Sequence, residues 1–112
     1  MKNNRIYISG AITGITDYLE RFSAAEENLK AAGWEVINTT KLESVLPTLE
    51  WGEYMDIDFV FMTLCGSVFV LNGSENSAGV AYEREFAEAC GMTIYEEADG
   101  IPVFESEVID NA

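Results

Sequence analysis

The chain of 112 residues has no histidine, two cysteines, two prolines and only six basic residues against twenty acidic ones. Without histidine it lacks the commonest metal ligand, so a zinc site is not expected. The few Lys and Arg residues are scattered, which argues against binding to a DNA or RNA polymer, because neutralising phosphates requires clustered cations. No apolar run reaches membrane-spanning length and no signal-peptide pattern is visible, so we expect a cytoplasmic protein without membrane contact.

The two cysteines, Cys65 and Cys90, lie far apart among apolar neighbours, each late in a helical pattern. Because they lack CxxC spacing, they predict buried free thiols and not a disulfide or a metal site. Apolar residues make up 48% of the chain, which excludes a disordered acidic protein in spite of the net charge of −14. The length is typical of one compact domain with a modest core.

Short β-branched and aromatic runs alternate with helical patterns along the chain. Strands are predicted at 5–9, 34–37, 67–71 and within 91–95, and long helices at 17–32, 48–64 and 81–90. This alternation predicts an α/β fold with a mainly parallel sheet of four or five strands and right-handed crossovers. Residues 1–100 are interpreted as a single domain and 101–112 as an acidic C-terminal tail, in which 101–104 could dock as an edge strand or an arm.

The segment Ser77-Ala-Gly-Val-Ala-Tyr-Glu83 is the strongest candidate for chemistry. A glycine at the turn and Glu83 four residues later predict a carboxylate in the first turn of a helix, at the carboxyl edge of the sheet, where ligands bind. A carboxylate near a helix N-terminus is stabilised as the anion, which suits a nucleophile or an electrostatic stabiliser. The alternative is a glutamate that only complements the helix dipole.

Asp58 lies at the margin of the apolar stripe of the second helix, so it either caps a neighbouring loop or faces a pocket. The stripe consists of Trp51, Met55, Phe59 and Met62. Asp56 and Asp58 are two residues apart and point in different directions on a helix, so at least one of them should face solvent.

Several smaller features leave two interpretations open. Tyr7 and Tyr82 are either core residues or phenols directed at a carboxylate or a sugar hydroxyl. Ser77 and Gly79 either form an ordinary turn or offer a hydroxyl and backbone amides to an anion. Gly10, which ends the first strand, permits close approach of the backbone to a ligand.

Three parts of the chain, taken in order and with their spacing, resemble the nucleoside 2-deoxyribosyltransferase superfamily, which includes the 2′-deoxynucleoside 5′-monophosphate N-hydrolases. They are Tyr7-Ile-Ser-Gly10, Trp51…Tyr54-Met55…Asp58 and Ser77-Ala-Gly79…Glu83. The likeness covers most of residues 5–95 and looks closest to short bacterial and phage members. It implies a flavodoxin-like, Rossmann-like three-layer sandwich and cleavage of the N-glycosidic bond between base and deoxyribose.

The resemblance also implies roles for particular residues. Glu83 matches the nucleophile that attacks the anomeric carbon, Asp58 the aspartate that contacts the sugar or assists proton transfer, and Tyr7 the tyrosine that hydrogen-bonds the glutamate. The chemistry is that of a retaining glycosidase, with a second base or water resolving the intermediate. The residues that would bind the nucleoside or nucleotide are Gly10, Thr13, Ser77, Gly79 and Tyr82. Neither a metal nor another cofactor is implied.

Some positions depart from the family's patterns. Ser77 stands where transferases carry an aspartate and where the monophosphate hydrolases carry a serine that binds the phosphate, so it favours the hydrolase branch. Those hydrolases also have a serine and an arginine in the first loop, where this chain has Ala11 and Thr13, and the aspartate usual at the start of the third strand is replaced by Gly66. In both branches the C-terminal region of a neighbouring subunit helps to complete the pocket. A homodimer or larger homo-oligomer is therefore expected, with the tail 101–112 as the candidate for that role.

Three hypotheses of function follow. The first is an enzyme that cleaves the N-glycosidic bond through Glu83. The second is a nucleotide-binding or sensing protein that has the same pocket without turnover. The third is a protein-interaction module that uses the acidic surface and tail, and whose association with a basic partner would depend strongly on salt.

Overall fold

The computed structural model describes residues 2–105 and contains a four-stranded sheet in which every strand is parallel to its neighbours. The strands are β1 (Lys2–Ser9), β2 (Glu35–Ile37), β3 (Cys65–Val70) and β4 (Thr93–Glu96), in the spatial order β2-β1-β3-β4. The helices are α1 (Tyr18–Ala31), α2 (Leu42–Val45), α3 (Trp51–Met62) and α4 (Ala78–Ala89), with 3-10 turns at Thr39–Lys41 and Glu97–Asp99. The predicted α/β class with a flavodoxin-like three-layer sandwich is confirmed.

The alternation of side chains along the strands divides the core into two halves, one on each face of the sheet. On one face Ile6, Ile8 and Phe69 pack with Phe22 and Leu29 of α1. On the other face Tyr7, Val68 and Val70 pack with Met62 of α3 and with Val80 and Ala87 of α4. β1 lies between β2 and β3, so Tyr7 is paired on both sides, with Ile37 and with Val68, whereas Ser9 is paired with Val70 of β3.

The segment 101–105 packs on the same face of the sheet as α1. The Trp34 indole Nε1 donates a hydrogen bond to the Pro102 carbonyl at 2.8 Å, and the Phe104 amide donates to the Ala32 carbonyl at 2.9 Å. The Phe104 ring meets the Trp34 ring edge to face, with centroids 5.2 Å apart. Because 101–105 has no strand pairing, it docks as an arm and not as an edge strand. The rest of the predicted acidic tail, 106–112, lies outside the described residues.

Two helices begin at residues other than those predicted, and in each case a capping side chain is the reason. α4 begins at Ala78, three residues earlier than predicted, because the Ser77 hydroxyl accepts the Val80 amide at 3.2 Å as an N-cap. α3 begins at Trp51 and not near 48, because the Glu53 carboxylate accepts the Glu50 amide at 2.9 Å.

The prediction of buried free thiols is right for one cysteine and wrong for the other. Cys65 is free and buried, although it opens β3 and does not end a helix. Cys90 is free and exposed, because the buried face of α4 ends at Ala87 and Cys90 follows the last turn. Within the described residues, no helix has the length and apolar character needed to cross a membrane.

Gly33 and Gly91 provide a matched test of how much the arm contributes to stability. Gly33 has φ +101°, and a Cβ there would lie 3.2 Å from the Phe104 carbonyl oxygen, whereas Gly91 has φ +73° with nothing within 4 Å of a Cβ. We expect each alanine substitution to cost about 1–2 kcal/mol for the left-handed backbone. We expect Gly33→Ala to cost more than Gly91→Ala because it also displaces the arm. Urea unfolding measures both free energies, and equal losses would show that the docked arm adds no stability.

Candidate active site

A cavity of about 790 Å³ opens at the carboxyl ends of β1 and β3, beside the amino end of α4. Its position follows from the topology, because the chain leaves β1 for one side of the sheet and β3 for the other, which opens a crevice between them. Its walls come from the loop after β1, the turn at 39–43, the first half of α3 and the residues around the start of α4. A cavity of this size is typical of sites for small organic ligands.

Glu83 lies in the cavity wall, is 5% exposed and is held by two donors from β1. The Tyr7 hydroxyl donates to Oε2 and the Ser9 hydroxyl donates to Oε1, each at 2.6 Å. Positions 7 and 9 of a strand point to the same face, so both hydroxyls reach one carboxylate. The predicted contact between Tyr7 and the glutamate is present. The predicted first-turn position of Glu83 is wrong, since α4 begins at Ala78 and Glu83 belongs to its second turn.

Asp58 of α3 faces the same cavity. Its Oδ1 is buried, and within the described residues it has no hydrogen-bond partner. A buried polar atom without a partner costs roughly 1–3 kcal/mol, so it is typical of a site whose hydrogen bonding is completed by a ligand. Of the two interpretations of Asp58, the pocket is therefore the one that the structure supports. Asp56 is exposed, as the spacing predicted.

Burial dominates the electrostatics of the two carboxyl groups. It raises the pKa of Glu83 to about 8, against the lowering effect of the Ser9 and Tyr7 hydrogen bonds, and the nearby Asp58 raises it further. Burial also raises the pKa of Asp58, against the lowering contacts with Glu83, Tyr7 and Thr39. Two neighbouring carboxyl groups shielded from water do not ionise independently, so the pair retains a proton near neutral pH. The expected anion stabilised by the helix terminus is therefore wrong, because Glu83 lies beyond the first turn and is buried.

The residues predicted to bind substrate are distributed around the cavity with one exception. Gly10, Thr13, Ser77 and Gly79 line its wall. Tyr82 is not part of the wall; its side chain is exposed, and its ring lies 6.0 Å from that of Trp51 in an edge-to-face contact. The Ser77 hydroxyl serves as the cap of α4, which is the ordinary interpretation of this serine.

The two predicted glycines differ in how tightly their surroundings are packed. A Cβ on Gly10 would lie 2.7 Å from Leu71 Cδ1, inside the core, and a Cβ on Gly79 would lie 3.7 Å from Met55 Sδ on α3. The distance at Gly79 is ordinary van der Waals contact, so a Cβ would fit there; α4 lies against α3 at this point, which brings Glu83 beside Asp58. Core packing explains Gly10 without a ligand, whereas the packing of α4 on α3 does not require a glycine at position 79.

Two residues of the site differ from the sequence-based expectation: Ser9 was not predicted to belong to it, and Trp51 was predicted to be buried. Ser9 was missed, although the period of two in a strand places it on the same face as Tyr7. Trp51 was assigned to the apolar stripe of α3 but is 55% exposed and lines the cavity, because it lies in the first turn of the helix. The other stripe residues behave as predicted, with Met55 and Met62 buried and Phe59 partly buried.

The cavity is acidic. Its wall contains Glu43 in addition to the two carboxyl groups, and no Lys or Arg of the described residues is part of it. Arg21 reaches its rim, where the guanidinium donates to the Asn72 carbonyl next to Gly73. Within residues 2–105, no group of three potential Asp, Glu or Cys ligands is arranged to hold a metal ion.

The fold and site define an α/β protein with a buried glutamate and a half-buried aspartate side by side in a cavity at the carboxyl ends of its two central strands. A family model with the description "Domain of unknown function (DUF4406)" matches residues 4–96, from β1 to the end of β4, and the chain belongs to this family. The matched region contains every residue of the candidate site. No match is found among curated proteins.

The raised pKa of Glu83 predicts a dependence of stability on pH. A group whose pKa is higher in the folded than in the unfolded protein stabilises the fold fully below the unfolded value, about 4.3, and this contribution is lost as the pH rises through about 8. We therefore expect the free energy of unfolding to fall between pH 5 and 9 by about 2–4 kcal/mol more in wild type than in Glu83→Gln.

Denaturant unfolding across this pH range measures the difference. Glu85→Gln is the matched control, because Glu85 lies on the same helix and is exposed. Its curve should follow wild type, since the repulsion among surface acids is common to both. Parallel curves for wild type and Glu83→Gln would contradict the buried, proton-retaining state of Glu83.

Proposed function

We propose that the protein cleaves the N-glycosidic bond of a 2′-deoxynucleoside or its 5′-monophosphate, with Glu83 as the nucleophile. The observation that carries this proposal is a buried carboxylate, fixed through both oxygens by Tyr7 and Ser9, that faces a cavity beside the unpartnered Oδ1 of Asp58. The resemblance to the nucleoside 2-deoxyribosyltransferase superfamily supports the same assignment of roles.

In the proposed mechanism Glu83 attacks C1′ and forms a glycosyl ester. The electron pair of the C1′–N bond leaves with the base, and Asp58 supplies the proton that the base nitrogen takes up. Water or a second base then attacks C1′, the ester breaks, Glu83 is released as the carboxylate, and the proton of the attacking group returns to Asp58. The sequence needs no oxidant, reductant or metal.

The distribution of donors supports this division of roles. Tyr7 and Ser9 both donate to Glu83 and favour a negative charge there, whereas Oδ1 of Asp58 has no donor among the described residues. In the free protein the raised pKa of Glu83, about 8, keeps the retained proton on Glu83. The proposed mechanism requires this proton to pass to Asp58 when substrate binds, which leaves Glu83, held by its two donors, as the nucleophile and Asp58 as the acid. Burial raises the pKa of Tyr7 well above its usual value, so Tyr7 remains a neutral donor throughout.

Two features of the cavity bear on whether the substrate carries a phosphate, and they point in opposite directions. The acidic wall disfavours a phosphate because it contains no Lys or Arg of the described residues. Ser77, Thr13 and the amides at the start of α4 are the groups in the wall that would bind one. Nucleosides and their 5′-monophosphates both belong in the substrate panel for this reason.

A nucleotide-binding protein without turnover is the second candidate. One observation favours it: the pKa of Glu83 is raised to about 8, and a protonated glutamate is not a nucleophile. A homodimer or larger assembly, in which the tail of a neighbouring subunit completes the pocket, stays a prediction from the resemblance.

The test is the release of free base from deoxynucleosides and their 5′-monophosphates, with and without a second base, followed by chromatography. We expect Glu83→Gln to lose roughly 1,000-fold or more in rate because the amide cannot form the ester, and Glu85→Gln to match wild type. Release without an acceptor identifies a hydrolase, and release only with an acceptor identifies a transferase.

The same preparations decide between the two candidates. If calorimetry detects nucleoside binding but no substrate releases base, the protein binds nucleosides without turnover, and the second candidate function is the correct one. If Glu83→Gln releases base as fast as wild type, Glu83 is not the nucleophile.

A further inference from the structure

Two aromatic side chains beside the cavity have no role in the mechanism above. Trp51 is 55% exposed and Tyr82 is 53% exposed, and they are the only exposed aromatic residues among 4–105. Their ring centroids lie 6.0 Å apart with the planes at 61°, which is a favourable edge-to-face geometry. Trp51 also forms part of the cavity wall, next to Tyr54 and Met55.

The position of this aromatic pair is set by the two helices. The Glu53 carboxylate fixes the start of α3 by accepting the Glu50 amide, so the indole of Trp51 comes from a well-defined first turn. α4 lies against α3 with Gly79 next to Met55, and this contact brings Tyr82 to Trp51. The same contact between α3 and α4 also places Asp58 beside Glu83. The carboxyl pair and the aromatic pair are therefore positioned by the same two helices.

The spacing along α3 suits a planar ligand. Trp51 and Asp58 are seven residues apart, which is about 10 Å along a helix axis. This length leaves room for one base ring system between the indole and the carboxyl pair. An exposed tryptophan gains free energy when a flat apolar surface covers it, and stacking of this kind accepts any base because every base has a π-face.

We propose that Trp51 stacks on the base of the substrate and that Tyr82 braces the edge of the indole. This inference rests on the proposed function, since the base of a nucleoside is the planar group that would enter the cavity. The stacked base would be held with its glycosidic bond toward Glu83. Trp51 is thus a binding residue, and Tyr82 acts on the substrate only through Trp51.

Tryptophan fluorescence tests the contact directly, because the chain has two tryptophans in different surroundings. Trp34 is 6% exposed and lies under the arm on the opposite face of the sheet, so it is an internal reference. The titrations use Glu83→Gln, which stops turnover, with 2′-deoxyadenosine, thymidine, adenine and 2-deoxyribose as probes. We expect saturable quenching by the nucleosides and adenine but none by 2-deoxyribose, and no quenching after Trp51→Phe is added.

Calorimetry measures the affinity in the same background. We expect Trp51→Leu to raise the Kd for 2′-deoxyadenosine about 10- to 100-fold, and Tyr82→Leu to raise it less, because the indole remains. Val60→Ala is the matched control, since Val60 is a 63% exposed residue of α3 outside the cavity wall. It should bind like the parent, and circular dichroism checks that each variant is folded.

Two results would overturn the inference. One is an unchanged Kd in Trp51→Leu together with the absence of quenching. The other is quenching by 2-deoxyribose as strong as that by 2′-deoxyadenosine, which would show that the indole does not contact the base.

The failure of this inference can be told apart from the failure of the proposed function. Suppose that nucleosides quench Trp51 and Trp51→Leu loses affinity, but the unsubstituted protein releases no base. The stacking role of Trp51 then stands, and the proposed enzymatic function is wrong. If Trp51→Leu releases base with an unchanged KM, the enzymatic function stands and the stacking role of Trp51 is excluded.

Discussion

The hydrogen bonds from Tyr7 and Ser9 to Glu83 join the central strand to α4, and the rest of the site depends on them. A carboxylate in this half-core would otherwise lose hydration without compensation, since its neighbours are the apolar side chains of β3, α3 and α4. The backbone of both donors is fixed by strand pairing, Tyr7 with β2 and β3 and Ser9 with β3, and both side chains are buried on the face of the sheet that Glu83 meets. The same arrangement that makes Glu83 tolerable in the core also orients it toward the cavity.

The contact between α3 and α4 has a comparable role on the other side of the carboxyl pair. α4 packs on α3 with Gly79 next to Met55, and this contact places Asp58 beside Glu83 and Trp51 beside Tyr82. The two carboxyl groups oppose folding when both are ionised, and Oδ1 of Asp58 lacks a partner among the described residues. Such features reduce stability, and proteins retain them chiefly where a ligand or a reaction makes use of them.

Much of the fold was predictable because the hydrophobic period of each element is clear. The four strands and three long helices were predicted, and the order of elements placed Glu83 at the carboxyl edge of the sheet and Tyr7 near the end of the first strand. The place of Asp58 in the same site followed only from the family resemblance. The start of α4 was not predictable, since a capping serine such as Ser77 has the same local pattern as a loop serine. The exposure of Trp51 and the burial of Glu83 depend on which turns of their helices lie against the sheet, and periodicity carries no such information.

The described residues after Glu96, 97–105, pack on the fold and lie outside the described site. The family match ends at Glu96, yet Trp34 inside the match is covered by Phe104 and bonded to the Pro102 carbonyl outside it. The arm thus covers part of the sheet face that α1 leaves open, on the side opposite to the carboxyl pair. Because the two faces have separate half-cores, a change in the arm affects the packing around Trp34 first and reaches Glu83 only through the sheet itself.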